Sequence, residues 1–337
     1  MTLAGPIEED TVEAGGPKPK KRRKISTGEG RLAIFLIAPT IALLALVVGY
    51  PIVKAIYQSF LSDPGLDSKG FFNSGDTWTG LTNYKYWLLQ ECPKAGGGTE
   101  TCPPGTLGSQ FWGSVQVTLL FAFVTVLFET IIGMLFAVMM NRAFKGRGLV
   151  RAVILIPWAI PTAVTAKLWS VIYDPQGILN HVLGIQTQWT SSQWASRWAI
   201  IIADTWKTTP FIALLILAGL QGISADLYES AKLDGASAWQ RFVRITLPLV
   251  KPALAVAVIF RALDALRMYD LPQILTGGAN GTTTMSILVV KQLVNEQNSA
   301  SALSTITFII IFAISLLLVK LFNANIIGAQ RPTKEAK

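Results

Sequence analysis

The 337-residue chain is 51% hydrophobic and only 15% charged, and its mean hydropathy is +0.45. In soluble domains about a quarter of the residues are charged, so this composition argues against a soluble enzyme or binding domain. The formal net charge of +9 does not by itself indicate a nucleic-acid partner, because the basic residues are concentrated beside apolar segments.

Six segments are each long and apolar enough to cross a bilayer, which takes about 20 residues in a helix. The sequence therefore predicts an all-α polytopic membrane protein with six transmembrane helices. The first helix and a large loop would occupy residues 31–110, and residues 111–325 would form a core of five helices. The six predicted spans are residues 32–60, 111–141, 149–173, 197–220, 250–275 and 303–325.

The first 30 residues contain few large apolar side chains, so we expect a disordered tail. Its basic run, Lys18–Lys24, lies just ahead of the first span. Because Lys and Arg accumulate beside spans on the cytoplasmic side, we expect both termini, including residues 326–337, to be cytoplasmic. The chain would then lie in the cell membrane, in contact with lipid and without a nucleic-acid partner. The first apolar run is also too long for a signal peptide.

The loop between the first two spans, residues 62–110, contains the only two cysteines, Cys92 and Cys102. This topology places both on the oxidising side of the membrane, where a disulfide is favoured. Two free thiols are the alternative. A metal site is not expected, because His181 is the only histidine and lies in a different loop.

The third span contains Pro157 and Pro161 and is therefore expected to bend. Lys207 and Pro210 mark a charge and a break in the fourth span.

A polar segment of mixed charge, Gln221–Pro252, separates the fourth and fifth spans. It predicts a helix with Asp226 as N-cap, stopped at Gly235. A second helix is expected to start near Ser237, and Pro248 would end it or lead it into the next span.

The fifth span contains four charges that alternate in sign at intervals of three: Arg261, Asp264, Arg267 and Asp270. Isolated charges in a membrane are costly, so these residues must pair or face water. Three steps of three residues turn about halfway around a helix, so all four are not expected to line one cavity. The outer members, Arg267, Tyr269 and Asp270, could border a polar pathway while Arg261 and Asp264 tie the helix to a neighbour. The alternative is a structural ion ladder without ligand contact, and both hypotheses stay open.

Residues 275–288 are rich in glycine and invite comparison with a phosphate-binding loop. They lack the lysine and hydroxyl residue that complete a P-loop, and no Gly-Lys dipeptide occurs in the chain. We therefore do not expect the chain to hydrolyse ATP, bind a cofactor or catalyse a reaction.

The segment after the fourth span has the residues of a known motif. Glu229-Ser230-Ala231, Gly235 and the later Ile245-Thr246-Leu247-Pro248 are similar in type and spacing to the EAA loop of permease subunits of ABC importers, E-A-A-x-x-D-G-x9-I-x-L-P. Ser230 stands where the family usually has alanine. In that family the loop is a coupling helix that sits in a cleft of the ATP-hydrolysing subunit. The resemblance therefore implies a docking role for Glu229, Ser230, Ala231, Asp234, Gly235, Leu247 and Pro248.

The resemblance extends over residues 111–325 and implies the type I importer permease (MetI-like) fold. It also implies three partners: a second, homologous permease, two copies of an ABC ATPase subunit that uses ATP and Mg, and an extracytoplasmic sugar-binding protein or lipoprotein. Movement of the ATPase pair would drive alternating access through the EAA loop. This chain would itself bind neither ATP nor metal.

Three further stretches resemble sugar permeases of the MalF type: Trp206–Phe211, Tyr228–Trp239 and Thr276–Thr283. They look most like actinobacterial permeases for trehalose and maltose. Since sugars are bound by planar polar groups and aromatic faces, the candidates for the substrate pathway are Asp264, Arg267, Tyr269, Asp270, Trp158 and Trp206.

Other functions remain open at this point. An ABC permease for another solute, such as glycerol phosphate or an oligosaccharide, would use the same scaffold. An ion-coupled secondary transporter could also use intramembrane Asp and Arg, but it should show inverted repeats, and none is evident. A membrane enzyme would need a catalytic constellation, which the chain does not offer.

Overall fold

The computed structural model describes residues 27–66, 72–94 and 97–329. The chain divides into two compact units, residues 1–53 and 54–337. The first contains helix α1 (Thr27–Leu44), a π-helical turn (Ala45–Gly49) and the start of α2 (Tyr50–Gln58). The helix therefore begins within the predicted 30-residue tail; the rest of that tail and residues 330–337 lie outside the described residues.

The second unit is mostly helical. Two short antiparallel hairpins, β1–β2 and β3–β4, lie in the loop after the first span. They are formed by Gly65–Leu66 with Phe72–Asn73 and by Glu91–Pro93 with Thr99–Thr101. The helices are α3 (Thr82–Leu88), α4 (Phe111–Asn141), α5 (Arg147–Ala159), α6 (Thr162–Ile172), α7 (Ile178–Leu183), α8 (Gln193–Gln221), α9 (Ala225–Leu233), α10 (Ala238–Arg241), α11 (Leu247–Ala265), α12 (Asp270–Thr276), α13 (Met285–Asn295) and α14 (Gln297–Ala329).

The prediction of six spans is confirmed. Among the described residues, five helices are long and apolar enough to cross a membrane, and the bent pair α5–α6 makes a sixth if it counts as one broken span. The five are Ile34–Gln58, Gly108–Asn141, Gln193–Gln221, Ala238–Ala265 and Gln297–Phe322.

The third span is broken, which is more than the predicted bend. Helices α5 and α6 meet at 97°. Ile160 is extended, as the residue before a proline tends to be, and Pro161 follows with φ −55° and ψ 142°. The Ile160 carbonyl accepts a hydrogen bond from Lys207 Nζ at 3.2 Å. The break therefore does not leave this carbonyl without a partner inside the membrane.

The fifth span begins earlier than predicted, at Ala238 instead of residue 250. Helix α10 continues through a π-helical turn, Phe242–Thr246, into α11. A similar turn precedes Pro51 in the first span, and both turns end two residues before a proline. Because proline donates no backbone N–H and crowds the carbonyl four residues back, a wider turn lets the helix continue past it. Pro248 therefore does not end the helix, which continues through it within the fifth span.

The fifth span also ends earlier than predicted. Helix α11 stops at Ala265 and α12 starts at Asp270. Pro272 lies in the first turn of α12, where proline is tolerated, whereas one continuous helix would press its ring against the Met268 carbonyl. That carbonyl accepts a hydrogen bond from Thr284 Oγ1 at 2.9 Å instead. The Leu266–Tyr269 turn therefore replaces the continuous helix that the hydropathy pattern predicted.

The core of the helical bundle is formed where small residues let helices approach closely. A Cβ added at Gly133 of α4 would lie 2.9 Å from Ile212 Cγ2 of α8, and one at Gly219 of α8 would overlap Ala253 Cβ of α11. Both glycines are thus required by packing between helices.

We expect Gly219→Val to destabilise the protein, by roughly 1–3 kcal/mol or more, because the added side chain overlaps Ala253 and Val250. Gly113→Val on α4 is the matched control, since a Cβ there meets nothing within 4 Å. Thermal unfolding of the purified protein in detergent should show a lower midpoint for Gly219→Val alone. Equal midpoints for both variants would contradict the close packing.

The loop after the first span is anchored to the start of α14. Both oxygens of the Asp63 carboxylate accept backbone hydrogen bonds at 2.6 Å, one from Asn298 and one from Ser299. The Trp87 side chain is buried, and its Nε1 donates to the Ser299 carbonyl at 3.1 Å. A disulfide joins Cys92 to Cys102 beside the β3–β4 hairpin.

Candidate functional site

A buried ion cluster centred on Arg261 joins three helices. Its Nε donates to Glu129 Oε2 at 2.6 Å and its Nη2 to Glu129 Oε1 at 3.0 Å. A second carboxylate, Asp204, also binds Nη2, and Asp264 binds Nη1 at 2.9 Å. Glu129 belongs to α4, Asp204 to α8, and Arg261 and Asp264 to α11. The guanidinium therefore links the three central spans through charge-assisted hydrogen bonds.

Burial differs sharply within this cluster. Arg261, Glu129 and Asp204 are buried, whereas the Asp264 side chain is 71% exposed. Thr208 also donates to Glu129 Oε1 at 2.6 Å. Two buried carboxylates thus share one guanidinium, and the third carboxylate is held by that guanidinium while facing outward.

A polar cavity of about 290 Å³ lies beside the cluster, at the two helix breaks. Trp158 and Thr162 flank the α5–α6 break, and the turn between α11 and α12 forms the opposite wall. Irregular backbone at membrane depth is tolerated where it lines a polar cavity, and discontinuous helices commonly build transporter binding sites. The ionisable side chains lining it are Asp204, Lys207, Arg261, Asp264, Arg267, Tyr269 and Asp270.

The structure brings together five of the six residues predicted for a substrate pathway. Trp158, Asp264, Arg267, Tyr269 and Asp270 all line the polar cavity. Trp206 does not, because it faces an apolar space among α4, α5 and α8 and packs edge-on against Trp169, with ring centroids 5.7 Å apart.

The expectation that Arg261, Asp264, Arg267 and Asp270 cannot share one cavity is wrong, because all four line it. The expectation assumed a continuous helix. The chain leaves α11 after Ala265, so the later two side chains are carried by a turn and a new helix. Among the described residues, only Arg261 and Asp264 of these four pair with each other, so the row is not an ion ladder.

The polar segment between the fourth and fifth spans forms the expected two helices, with a different N-cap. Ser224, and not Asp226, caps α9: its side chain accepts a bond from the Asp226 backbone N–H at 3.4 Å. Gly235 follows α9 with φ +77°, the left-handed conformation that favours glycine. Ser237 and Gln240 form a capping box that starts α10. The hydroxyls of Tyr228 and Thr246, 3.0 Å apart, fasten α9 to the fifth span.

The segment of residues 221–252, which we name the coupling segment after its predicted role, presents most of its predicted docking residues to solvent. Glu229, Ser230, Asp234, Gly235 and Pro248 are exposed, and Ala231 and Leu247 are half-buried. Two large apolar side chains of the same segment are also exposed, Leu233 by 89% and Trp239 by 71%. Large exposed apolar side chains within a polar segment are consistent with an interaction surface.

Among the described residues, no group of three or more His, Cys, Asp or Glu side chains is arranged to hold a metal ion.

Comparison with known families identifies the chain. Residues 129–328 match the family described as the binding-protein-dependent transport system inner membrane component. The chain belongs to this family. It is therefore a multi-pass membrane permease subunit and not an enzyme.

Curated relatives agree with this assignment over nearly their whole length. The permease is 37% identical to the trehalose/maltose transport system permease protein MalF of Thermococcus litoralis, over 88% of this chain and 95% of that protein. It is 36% identical to the trehalose transport system permease protein SugA of Mycobacterium tuberculosis, over 90% of this chain and 92% of that protein.

A solved structure shows the same fold. The permease superposes with a TM-score of 0.71 on a chain of a bacterial ABC transporter involved in the import of the acidic polysaccharide alginate, at 22% identity, over 88% of this chain and 96% of that chain. The predicted type I importer permease fold is thus confirmed.

Sequence reasoning missed two members of the ion cluster, Glu129 and Asp204. Each is a single acidic residue inside a long apolar helix, and such a residue requires a partner. The sequence predicted that Arg261 and Asp264 could tie the fifth span to a neighbouring helix, but it did not identify the partner residues. Which of the other spans would face Arg261 depends on helix packing.

Proposed function

We propose that this permease is the membrane subunit of an ATP-driven importer that moves a disaccharide such as trehalose or maltose into the cytoplasm. The polar cavity carries the proposal. It combines the planar groups of Arg267, Asp264 and Asp270, which suit hydrogen bonding to sugar hydroxyls, with the aromatic rings of Trp158 and Tyr269. The trehalose and maltose permeases among the relatives favour the disaccharide. The cavity of about 290 Å³ would take part of the sugar, and a second, homologous permease would complete the pathway.

The coupling segment supplies the connection to ATP hydrolysis. In this proposal a pair of ABC ATPase subunits binds ATP and Mg on the cytoplasmic side, where both termini of the permease also lie. Glu229 to Gly235 dock on one ATPase subunit, and an extracytoplasmic binding protein delivers the sugar at the opposite end. Docking can drive alternating access only if its free energy differs between the inward-open and outward-open states.

The helical path from Ala238 to Ala265 makes such coupling mechanically plausible. It is unbroken over 28 residues, or about 42 Å at 1.5 Å per residue. Its first half lies within the coupling segment, and its other end holds Arg261 and Asp264 at the polar cavity. A displacement at the ATPase would therefore move cavity residues directly.

The decisive experiment for this function is co-purification. We expect an ABC ATPase subunit, expressed from the neighbouring genes, to co-purify with tagged permease, and Glu229→Lys to weaken that association at least tenfold. Reversal of a charge in a docked surface leaves like charges facing each other. Glu100→Lys, at an exposed position on β4, is the matched control. A chain that purifies alone and still moves solute into vesicles would contradict the proposal.

Asp270→Lys should change the response to sugar and leave ATPase association intact, because Asp270 lines the polar cavity, which no residue of the coupling segment lines. Loss of a hydrogen bond to a charged group corresponds to roughly a 10- to 100-fold higher half-saturating sugar concentration. This concentration is measured from the sugar-stimulated ATPase turnover of the reconstituted complex. Asp174→Lys, an exposed acid outside the cavity, is the control, and equal loss of stimulation and association would argue against a ligand role.

A further inference from the structure

A second space, the apolar cleft, lies between α4, α5 and α8 and has a volume of about 510 Å³. Its walls include Phe128 and Phe136 of α4, Ile154 of α5, and Trp198, Ile202 and Pro210 of α8. None of its lining residues also lines the polar cavity. The cleft is therefore a separate feature that the transport proposal does not use.

The break in the third span leaves this cleft open. Helix α5 covers α8 only as far as Ala159, where the chain turns away by 97°. On α8 the cleft extends from Trp198 to Pro210, about 18 Å along the helix axis. No ionisable side chain lines it. An elongated apolar ligand fits this shape better than a polar solute.

A cluster of positive charge lies beyond one end of the cleft. Arg147, on the first turn of α5, precedes Ile154 by seven residues, so it lies on nearly the same helix face, about 10 Å farther along. Lys145 and Arg142 are in the connection just before it, and both are exposed, as is Arg147. Arg151 is held nearby by a bond from its Nη2 to the Met140 carbonyl at 2.8 Å.

These cations have no acidic partner in the part of the chain that the structure describes. The sequence contains no Asp or Glu between Glu129 and Asp174, and among the described residues none of Arg142, Lys145, Arg147 and Arg151 forms an ion pair. An apolar cleft with unpaired basic residues at one end matches a molecule with an anionic head and a hydrocarbon chain. Basic groups beside transmembrane helices recognise anionic phospholipids in this way.

We propose that the apolar cleft binds one acyl chain of an anionic phospholipid, whose headgroup contacts Lys145 and Arg147. The lipid fills the space that the broken third span leaves beside α8. Because the cleft packs against α4 and α8, which also hold Glu129 and Asp204, the bound lipid supports the helices that carry the ion cluster. This proposal does not depend on the identity of the transported solute.

The test uses the assembled complex, washed in detergent containing equal amounts of phosphatidylglycerol and phosphatidylcholine, with retained lipid counted by native mass spectrometry. We expect retention of phosphatidylglycerol over phosphatidylcholine. Each basic residue near a membrane surface changes affinity roughly fivefold, so Lys145→Gln with Arg147→Gln should weaken retention roughly 25-fold. Lys85→Gln with Lys94→Gln removes the same charge from exposed positions in the loop after the first span and should have no effect.

A second pair of variants tests the cleft itself. Ile202→Trp should fill it and abolish selective retention, whereas Ile309→Trp, at an exposed position on α14 that lines neither cavity, should not. Equal retention of both lipids would indicate bulk lipid only and overturn the proposal. It would also be overturned if retention survived both the charge removal and Ile202→Trp, or if Ile202→Trp released the second permease subunit without changing bound lipid.

Discussion

Replacing Arg261 by leucine is expected to abolish accumulation of folded permease. The substitution would leave Glu129 and Asp204 buried with no counter-charge, since Arg261 contacts both. Removing one partner of a buried ion pair typically costs about 3–5 kcal/mol, which is a large part of the stability of most domains. Size-exclusion profiles and thermal unfolding midpoints of detergent-extracted protein would measure the loss.

The companion variants separate charge imbalance from lost packing. Arg261→Lys keeps the charge, but its ammonium has three N–H donors at one nitrogen and cannot reproduce the planar fork that binds Glu129 through two nitrogens while also holding Asp204 and Asp264, so we expect partial loss. Combining Arg261→Leu with Glu129→Gln and Asp204→Asn removes every buried charge of the cluster and should recover much of the stability, because a neutral core avoids the desolvation cost. If Arg261→Leu alone accumulates normally, the cluster does not hold the helices together.

The same variants bear on transport. Arg261 connects α11 to α4 and α8 and also holds Asp264, which is exposed to the polar cavity. A neutralised but folded triple variant would therefore retain the bundle and lose the orientation of Asp264. We infer that its uptake of sugar would stay low even where its stability recovers.

Much of the architecture could be predicted because local chemistry determines it. The second span was placed at residues 111–141, the bounds of α4, since an uninterrupted apolar run has few alternatives in a bilayer. Gly235 and Ser237 marked the turn between α9 and α10 because a left-handed backbone and an N-cap each require particular residue types.

The cavity could not be predicted in the same way. Its walls depend on two helix breaks, and Pro161 and Pro272 show from sequence only that a helix is weakened there, because kinked helices also contain proline. Whether the helix bends or breaks depends on partners for the freed carbonyls. Lys207 of α8 and Thr284, the N-cap residue of α13, supply these partners, which is a property of packing. The sequence does not reveal these contacts. Its hydropathy pattern therefore predicted a continuous fifth span, and a continuous helix would place the four charges on different faces.

Gly235→Asp is expected to abolish uptake without preventing folding or insertion. At Gly235 φ is +77°, and an added Cβ would meet nothing within 4 Å. The cost within this chain is therefore backbone strain of about 1–2 kcal/mol. The new side chain would point outward from the exposed turn between α9 and α10, into whatever docks there. Burying its charge without a partner should weaken ATPase association roughly 10- to 100-fold, which uptake into vesicles and ATPase co-purification both report.

Gly184→Asp provides the matched control. Gly184 also follows a short helix, α7, with φ +65° and open space around its Cβ position. The substitution therefore imposes the same strain and the same charge, but outside the coupling segment. Loss of uptake in Gly235→Asp with near-normal uptake in Gly184→Asp would show that docking, and not backbone strain, requires glycine at position 235. Equal loss of uptake in both variants would show that glycine is needed at position 235 only for the conformation of the turn. Normal uptake in Gly235→Asp would contradict a docking role for this turn.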